Sequence, residues 1–127
     1  MFSFLVLAFA FQGVPMGAVL LLWLLFRPFW QAWTSRTVLT FVSEGLAGAA
    51  VATATFVILL AAFPAGKSLA NLVELPPNGL ALGVIHLLTF EAAEHRAVRP
   101  PRRHVVTPLC AVVLTSLIYW AVPSLPE

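Results

Sequence analysis

Charged side chains are rare along the chain, and the intervals between them are long and apolar. A helix needs roughly 20 consecutive apolar residues to cross a bilayer. Three intervals reach that length, namely residues 2–26, residues 37–63, which contain only Glu44, and residues 105–122. A charge or a proline ends each of them, and both disfavour continuation of a helix within lipid. The pattern therefore predicts three transmembrane helices.

A fourth transmembrane helix is predicted over residues 77–97, where the pattern is weaker. The uninterrupted apolar run from Leu80 to Phe90 would cover only about half of a bilayer at 1.5 Å per residue. A re-entrant or interfacial segment is therefore the alternative. Extension to residues 77–97 gives spanning length, because long polar side chains in the last turns can reach the interface. Those side chains are Glu91, Glu94, His95 and Arg96.

The positions of the basic residues favour four crossings over three. With four spanning helices, Lys67 is the only basic residue on one side of the membrane, and the arginines of two loops lie on the other side. These arginines are Arg27, Arg36, Arg96, Arg99, Arg102 and Arg103. Basic loops face the cytoplasm in most membrane proteins. We therefore predict a multi-pass protein of the cell inner membrane with its N- and C-termini outside the cytoplasm.

Composition agrees with this architecture. The chain has 127 residues, of which 61% are hydrophobic and 9% are charged, whereas a soluble domain is about 45–50% apolar and about 25% charged. A soluble domain of this size could not cover so apolar a surface, and a single cysteine excludes a disulfide scaffold. We predict an all-α fold, a single domain over residues 1–127 with four transmembrane helices in a compact bundle.

The connection over residues 64–78 is predicted to lie outside the membrane, along the outer interface. It carries several apolar residues and ends at Pro76 and Pro77, so a short amphipathic turn is expected there. Tyr119 and Trp120 lie near the same end of the predicted bundle and fit an interfacial aromatic belt.

Glycines recur at helical spacing in the first, second and third predicted helices. Small residues four positions apart let helix backbones approach closely within lipid, where dispersion forces hold helices together. The glycines are therefore predicted to be helix-packing positions. They serve either this protein's own bundle or contact with a partner or a second copy. The positions are Gly13, Gly17, Gly45, Gly48, Gly79 and Gly83.

Glu44 and His86 are the candidate binding or proton-linked residues. They lie at similar depths, roughly 10 Å and roughly 13 Å from the cytoplasmic ends of their helices. An ionisable group at such a depth usually faces the bundle interior and marks a functional site. We therefore predict that Glu44 and His86 pair directly or through water. The alternative is that backbone carbonyls or the hydroxyl groups of Ser43, Thr89 or Thr115 satisfy each of them separately.

The polar residues that follow the third helix are predicted to set topology. Glu91, Glu94 and His95 match no common zinc or di-iron spacing, so we expect them to pair with neighbouring arginines and predict no metal site. The basic loop can contact anionic lipid headgroups or an acidic partner, and no nucleic-acid binding is predicted. Its candidate contact residues are Arg96, Arg99, Arg102 and Arg103.

No complete catalytic motif is present, and the chain contains no aspartate, so no enzyme is predicted. Short loops and abundant packing positions favour an accessory or assembly subunit of a larger membrane complex. The alternative is a small homo-oligomeric transporter or channel that uses Glu44 and His86 for a proton, a cation or a polar solute. A haem or quinone membrane anchor subunit is a further alternative, in which His86 would be one axial ligand and a partner would supply the other. The expected partners are membrane lipids, other membrane subunits or further copies of the chain.

Overall fold

The computed structural model describes residues 2–26, 35–63, 67, 69–96, 100–123 and 125, and every element within these ranges is helical. The elements in chain order are α1 (Phe2–Phe26), α2 (Ser35–Ala62), a short 3-10 helix (Leu69–Glu74), α3 (Leu75–Arg96) and α4 (Pro100–Ala121). In these ranges four helices are long and apolar enough to cross a membrane. The predicted number of helices is thus confirmed.

The third predicted segment is a continuous helix. It contains 22 residues, which correspond to about 33 Å at 1.5 Å per residue, so its length suffices for a crossing. Pro76 and Pro77 lie in its first turn, where a missing N–H does little harm. The expectation that these prolines end a surface turn is therefore wrong, because they begin a helix.

The four helices pack as a ring in the order α1, α3, α4, α2. The most extensive contacts are between α1 and α3 and between α2 and α4, whereas α2 and α3 touch at few positions across the diagonal. We call the end of the bundle that carries Arg102 the arginine end. Glu44 of α2 meets His104 of α4 there. The opposite end, where Lys67 contacts Tyr119, is called the lysine end.

The interior of the bundle contains both polar levels and apolar levels. On α3 every fourth residue is buried, and successive levels are about 6 Å apart at the helical rise. Close packing by small and apolar residues fills the levels between the polar ones. The residues buried at this spacing are Glu74, which directly precedes α3, and Asn78, Leu82, His86 and Phe90 of α3. The apolar level that contains Leu82 is completed by Met16, Ala49, Ala52 and Ala111.

Candidate functional site

Glu44 is buried near the arginine end of α2, where it meets a histidine of α4. Its Oε1 lies 2.7 Å from Nδ1 of His104. The Glu44 side chain is 7% exposed, whereas the His104 side chain is 51% exposed. The contact thus joins a buried carboxylate to an imidazole that lies at the rim of the bundle.

Glu44 and His86 do not pair through a direct hydrogen bond, because both ring nitrogens of His86 have other partners. Nε2 lies 2.9 Å from the carbonyl oxygen of Phe41, and Nδ1 lies 2.9 Å from the hydroxyl oxygen of Thr107. A carbonyl oxygen only accepts, so Nε2 donates, and in a neutral imidazole Nδ1 then accepts from Thr107. Matched depth does bring His86 against α2, but the ring meets the Phe41 carbonyl there and not the Glu44 carboxylate.

The surroundings of His86 are aromatic and closely packed. Phe41 stacks on the imidazole with ring centroids 4.5 Å apart, and on Trp23 with centroids 4.4 Å apart. The indole N–H of Trp23 donates to Glu91, so one partner of Glu91 comes from α1. A haem iron could bind His86 only if one ring nitrogen left its present partner.

The rest of the predicted polar group at the end of α3 is only partly covered by the structure. Arg102 is exposed. The side chains of Glu94, His95, Arg96, Arg99 and Arg103 lie outside the described part of the chain. Among the residues that are described, no three His, Cys, Asp or Glu side chains come together as a metal site.

A central amide layer, formed by Gln12, Thr53, Asn78 and Thr115, takes one side chain from each helix. Asn78 Nδ2 donates to Gln12 Oε1 at 2.9 Å and to Thr115 Oγ1 at 3.0 Å, and Gln12 Nε2 donates to Thr53 Oγ1 at 3.3 Å. The Thr53 hydroxyl in turn donates to the carbonyl oxygen of Ala49. Because this hydroxyl proton is committed, Thr53 must accept from Gln12, which orients both amides.

A lysine cluster, formed by Lys67, Glu74 and Tyr119, holds a buried ion pair at the lysine end. Lys67 Nζ lies 3.0 Å from Glu74 Oε2, with both side chains at most 4% exposed. The ammonium also donates to the carbonyl oxygen of Tyr119 at 2.6 Å and lies 4.1 Å from the centroid of the Tyr119 ring. Removal of one member of a buried ion pair costs about 3–5 kcal/mol. The cluster therefore ties the connection between α2 and α3 to α4.

The C-terminal end of α4 is capped by the same connection. Asn71 Nδ2 donates to the carbonyl oxygen of Pro123 at 2.9 Å, and the N–H of Leu125 donates to Asn71 Oδ1 at 3.1 Å. The Tyr119 hydroxyl donates to the carbonyl oxygen of Phe63. Carbonyl groups at a helix end lack partners within the helix, and here side chains supply them. Tyr119 is thus buried, and the expectation of an interfacial belt residue is wrong for it.

The central amide layer and the lysine cluster were missed by the sequence reasoning. The pattern places Lys67 and Glu74 in a surface turn, and Gln12 and Asn78 carry no charge that would mark them as buried polar residues. One signal was available, since Glu74, Asn78 and His86 are spaced by multiples of four and so lie on one face of a helix.

The six predicted packing glycines serve different purposes. A Cβ at Gly48 would lie 2.6 Å from Thr107 Cγ2, and a Cβ at Gly83 would lie 3.1 Å from Val19 Cγ2, so both pack inside the bundle. Gly79 is still tighter against the α1 backbone. A Cβ at Gly45 would be in ordinary contact with the His86 ring, 3.5 Å away.

Gly13 and Gly17 instead face an open groove between α1 and α2. A Cβ at Gly17 would meet nothing within 4 Å, and one at Gly13 would approach only the Phe9 ring, at 3.8 Å. The groove holds a cavity of about 90 Å³. A separate, more open depression of about 460 Å³ lies between α1 and α2 nearer the lysine end. The cavity is lined by Gly13, Gly17, Gly45, Leu46, Ala49 and His86, among others.

No protein-family model, curated protein or solved structure matches this chain.

Proposed function

We propose that the chain is a small inner-membrane accessory or assembly subunit that receives a transmembrane helix of another subunit in the groove between α1 and α2. The observation that carries this proposal is the open space at Gly17. A Cβ added there would meet nothing within 4 Å, whereas one at Gly48, Gly79 or Gly83 would lie 3.1 Å or less from a neighbour. Glycines four residues apart on an exposed helix face allow a second helix to approach closely.

Residence in a membrane is supported by the outer surface of the bundle. Large apolar side chains are exposed on all four helices, as for Val14, Leu39, Leu88 and Val105. In water such a surface would drive association, whereas in lipid it is the ordinary state. We place the arginine end in the cytoplasm by the distribution of basic residues, which leaves both termini on the outer side.

The packed interior favours a binding role over passage of a solute through one copy of the chain. The Leu82 level, between the central amide layer and His86, consists of apolar side chains in contact. Glu44 and His86, which the transporter alternative would use, are engaged with His104, Thr107 and Phe41. Within the described residues, no specific contact favours that alternative.

Site-specific photo-crosslinking in native membranes tests the proposal. A photoreactive amino acid at Leu46, an exposed residue that lines the groove, should give an adduct with one other membrane protein. The matched control is Leu88, which is exposed on α3 and does not line the groove, and it should not give that adduct. The proposal would be contradicted if the photoreactive residue at Leu46 formed adducts only with a second copy of the chain. It would also be contradicted if both positions formed adducts equally.

A further inference from the structure

Two buried acceptor oxygens, which have no hydrogen-bond partner among the described residues, lie one helical turn apart at the start of α3. Glu74 uses Oε2 for Lys67, and its Oε1 has no partner. Asn78 uses both N–H bonds of its amide, and its Oδ1 has no partner. Glu74 is 4% exposed and Asn78 is 1% exposed, so bulk water does not reach these oxygens. Side chains four residues apart on a helix are neighbours.

The orientation of the Asn78 amide follows from its neighbours. The Thr53 hydroxyl donates to Ala49, so it accepts from Gln12 Nε2, which turns Gln12 Oε1 towards Asn78. Asn78 must then present Nδ2 to Gln12, and Oδ1 is the atom that remains. Rotation of the Asn78 amide would set two acceptor oxygens against each other. The hydrogen bonds of the whole central amide layer therefore leave Asn78 Oδ1 as the acceptor without a partner.

We propose that Glu74 Oε1 and Asn78 Oδ1 together bind one buried water molecule, which donates a hydrogen bond to each. Water supplies the two donors that two acceptors require, and buried waters in proteins typically satisfy polar groups of this kind. A metal cation fits less well. The Lys67 ammonium already stands 3.0 Å from the same carboxylate, and hard cations take roughly six oxygen ligands, not two.

This water joins the lysine cluster to the central amide layer. The resulting chain of hydrogen bonds runs from Lys67 through Glu74, the water, Asn78 and Gln12 to Thr53. It connects α1, α2 and α3 with the segment that caps α4, and Thr115 extends it to α4 itself. This series of hydrogen bonds ends at the apolar Leu82 level. The polar core is thus continuous from the lysine end to the middle of the bundle and stops there.

A structure of the full chain in lipid, at a resolution that resolves ordered water, tests the site. We expect one peak within hydrogen-bond distance of both Glu74 Oε1 and Asn78 Oδ1. Crystals grown with thallium in place of sodium should give no anomalous signal at that peak. An anomalous signal would mean a monovalent cation and would overturn the proposal, as would continuous packing with no peak.

The variant Glu74→Gln gives the second test. The substitution replaces one of the two acceptors with the N–H donor Nε2 while its oxygen can keep the bond from Lys67, so the water would accept from Nε2 and donate only to Asn78 Oδ1. Infrared difference spectra of the wild type against Glu74→Gln should contain no band of a protonated carboxyl group. Such a band would mean that a proton on Glu74 itself bonds to Asn78, which overturns the proposal. The wild-type structure decides the matter even if the variant does not fold.

Discussion

The carbonyl oxygen of Gln12 occupies the space that a side chain at position 79 would need. A Cβ at Gly79 would lie 2.4 Å from this oxygen and 2.8 Å from the Cα of Gln12. The α1 and α3 backbones are therefore in contact at this level. The same contact brings Gln12 Oε1 within reach of Asn78, so a single glycine positions both the helix pair and the central amide layer.

Replacement of this glycine should destabilise the bundle. Gly79→Ala forces a methyl group against backbone, which cannot move aside, and should lower the free energy of unfolding by about 1–3 kcal/mol, as overpacking does. Gly83→Ala is the matched control, because its Cβ would lie 3.1 Å from Val19 and no closer than 3.3 Å to the α1 backbone, at Met16. Reversible unfolding in detergent mixtures measures both variants. Equal stability of the two would refute the close backbone contact.

Glu44 should couple energetically to His104 more strongly than to His86. A double-mutant cycle with Glu44→Gln and His104→Asn should give a coupling energy of about 0.5 kcal/mol, since one partner is half exposed and solvent screens the pair. The matched cycle with His86→Asn should give a smaller coupling, because the His86 nitrogens bond to Thr107 and Phe41. A larger coupling energy between Glu44 and His86 than between Glu44 and His104 would support the pair that the sequence predicts.

Removal of one charge from the lysine cluster should cost more than removal of both. Lys67→Met leaves the Glu74 carboxylate buried without its ammonium partner and should destabilise by about 3–5 kcal/mol. The double variant Lys67→Met with Glu74→Leu should recover much of that loss, because apolar side chains replace a desolvated pair. Thermal unfolding of the single and double variants in the same detergent measures this. A double variant as unstable as Lys67→Met would argue against a buried ion pair.

Reporter fusions test the proposed orientation. Fusions at Arg102, at the arginine end, should place the reporter in the cytoplasm, and fusions at Gly66, in the connection between α2 and α3, should place it outside. A fluorescent reporter and alkaline phosphatase, active on opposite sides of the inner membrane, give the two readings. If both fusion sites report the same compartment, the third helix does not cross and the topology is wrong.

The helices were predictable from sequence because apolar intervals of spanning length are set by local composition. The weakest prediction, residues 77–97, became a helix that begins at Leu75, since Pro76 and Pro77 act as first-turn residues and not as breakers. The buried polar groups were less predictable. Depth along a helix can be read from residue spacing, but the ring order that decides which helices are neighbours depends on side-chain packing throughout the bundle.

His104 illustrates that limit. Spacing placed it near the interface, and the structure leaves it half exposed, yet it is the partner that Glu44 contacts. The contact depends on the long α2–α4 packing, in which Gly48 accommodates Thr107. Nothing in the charge pattern alone distinguishes α4 from α3 as the neighbour of α2.

The central claim is that Gly17 lies at an interface with another subunit, and one substitution tests it most directly. Gly17→Leu adds a side chain where the bundle has open space, so the thermal stability of the isolated protein should not fall. Its association with the subunit crosslinked through Leu46 should be lost in native mass spectrometry of the solubilised complex. Ala18→Leu enlarges an exposed neighbour that does not line the groove and should leave the association intact. If Gly17→Leu retains the partner as fully as Ala18→Leu does, the groove is not the docking site and the proposed function is contradicted.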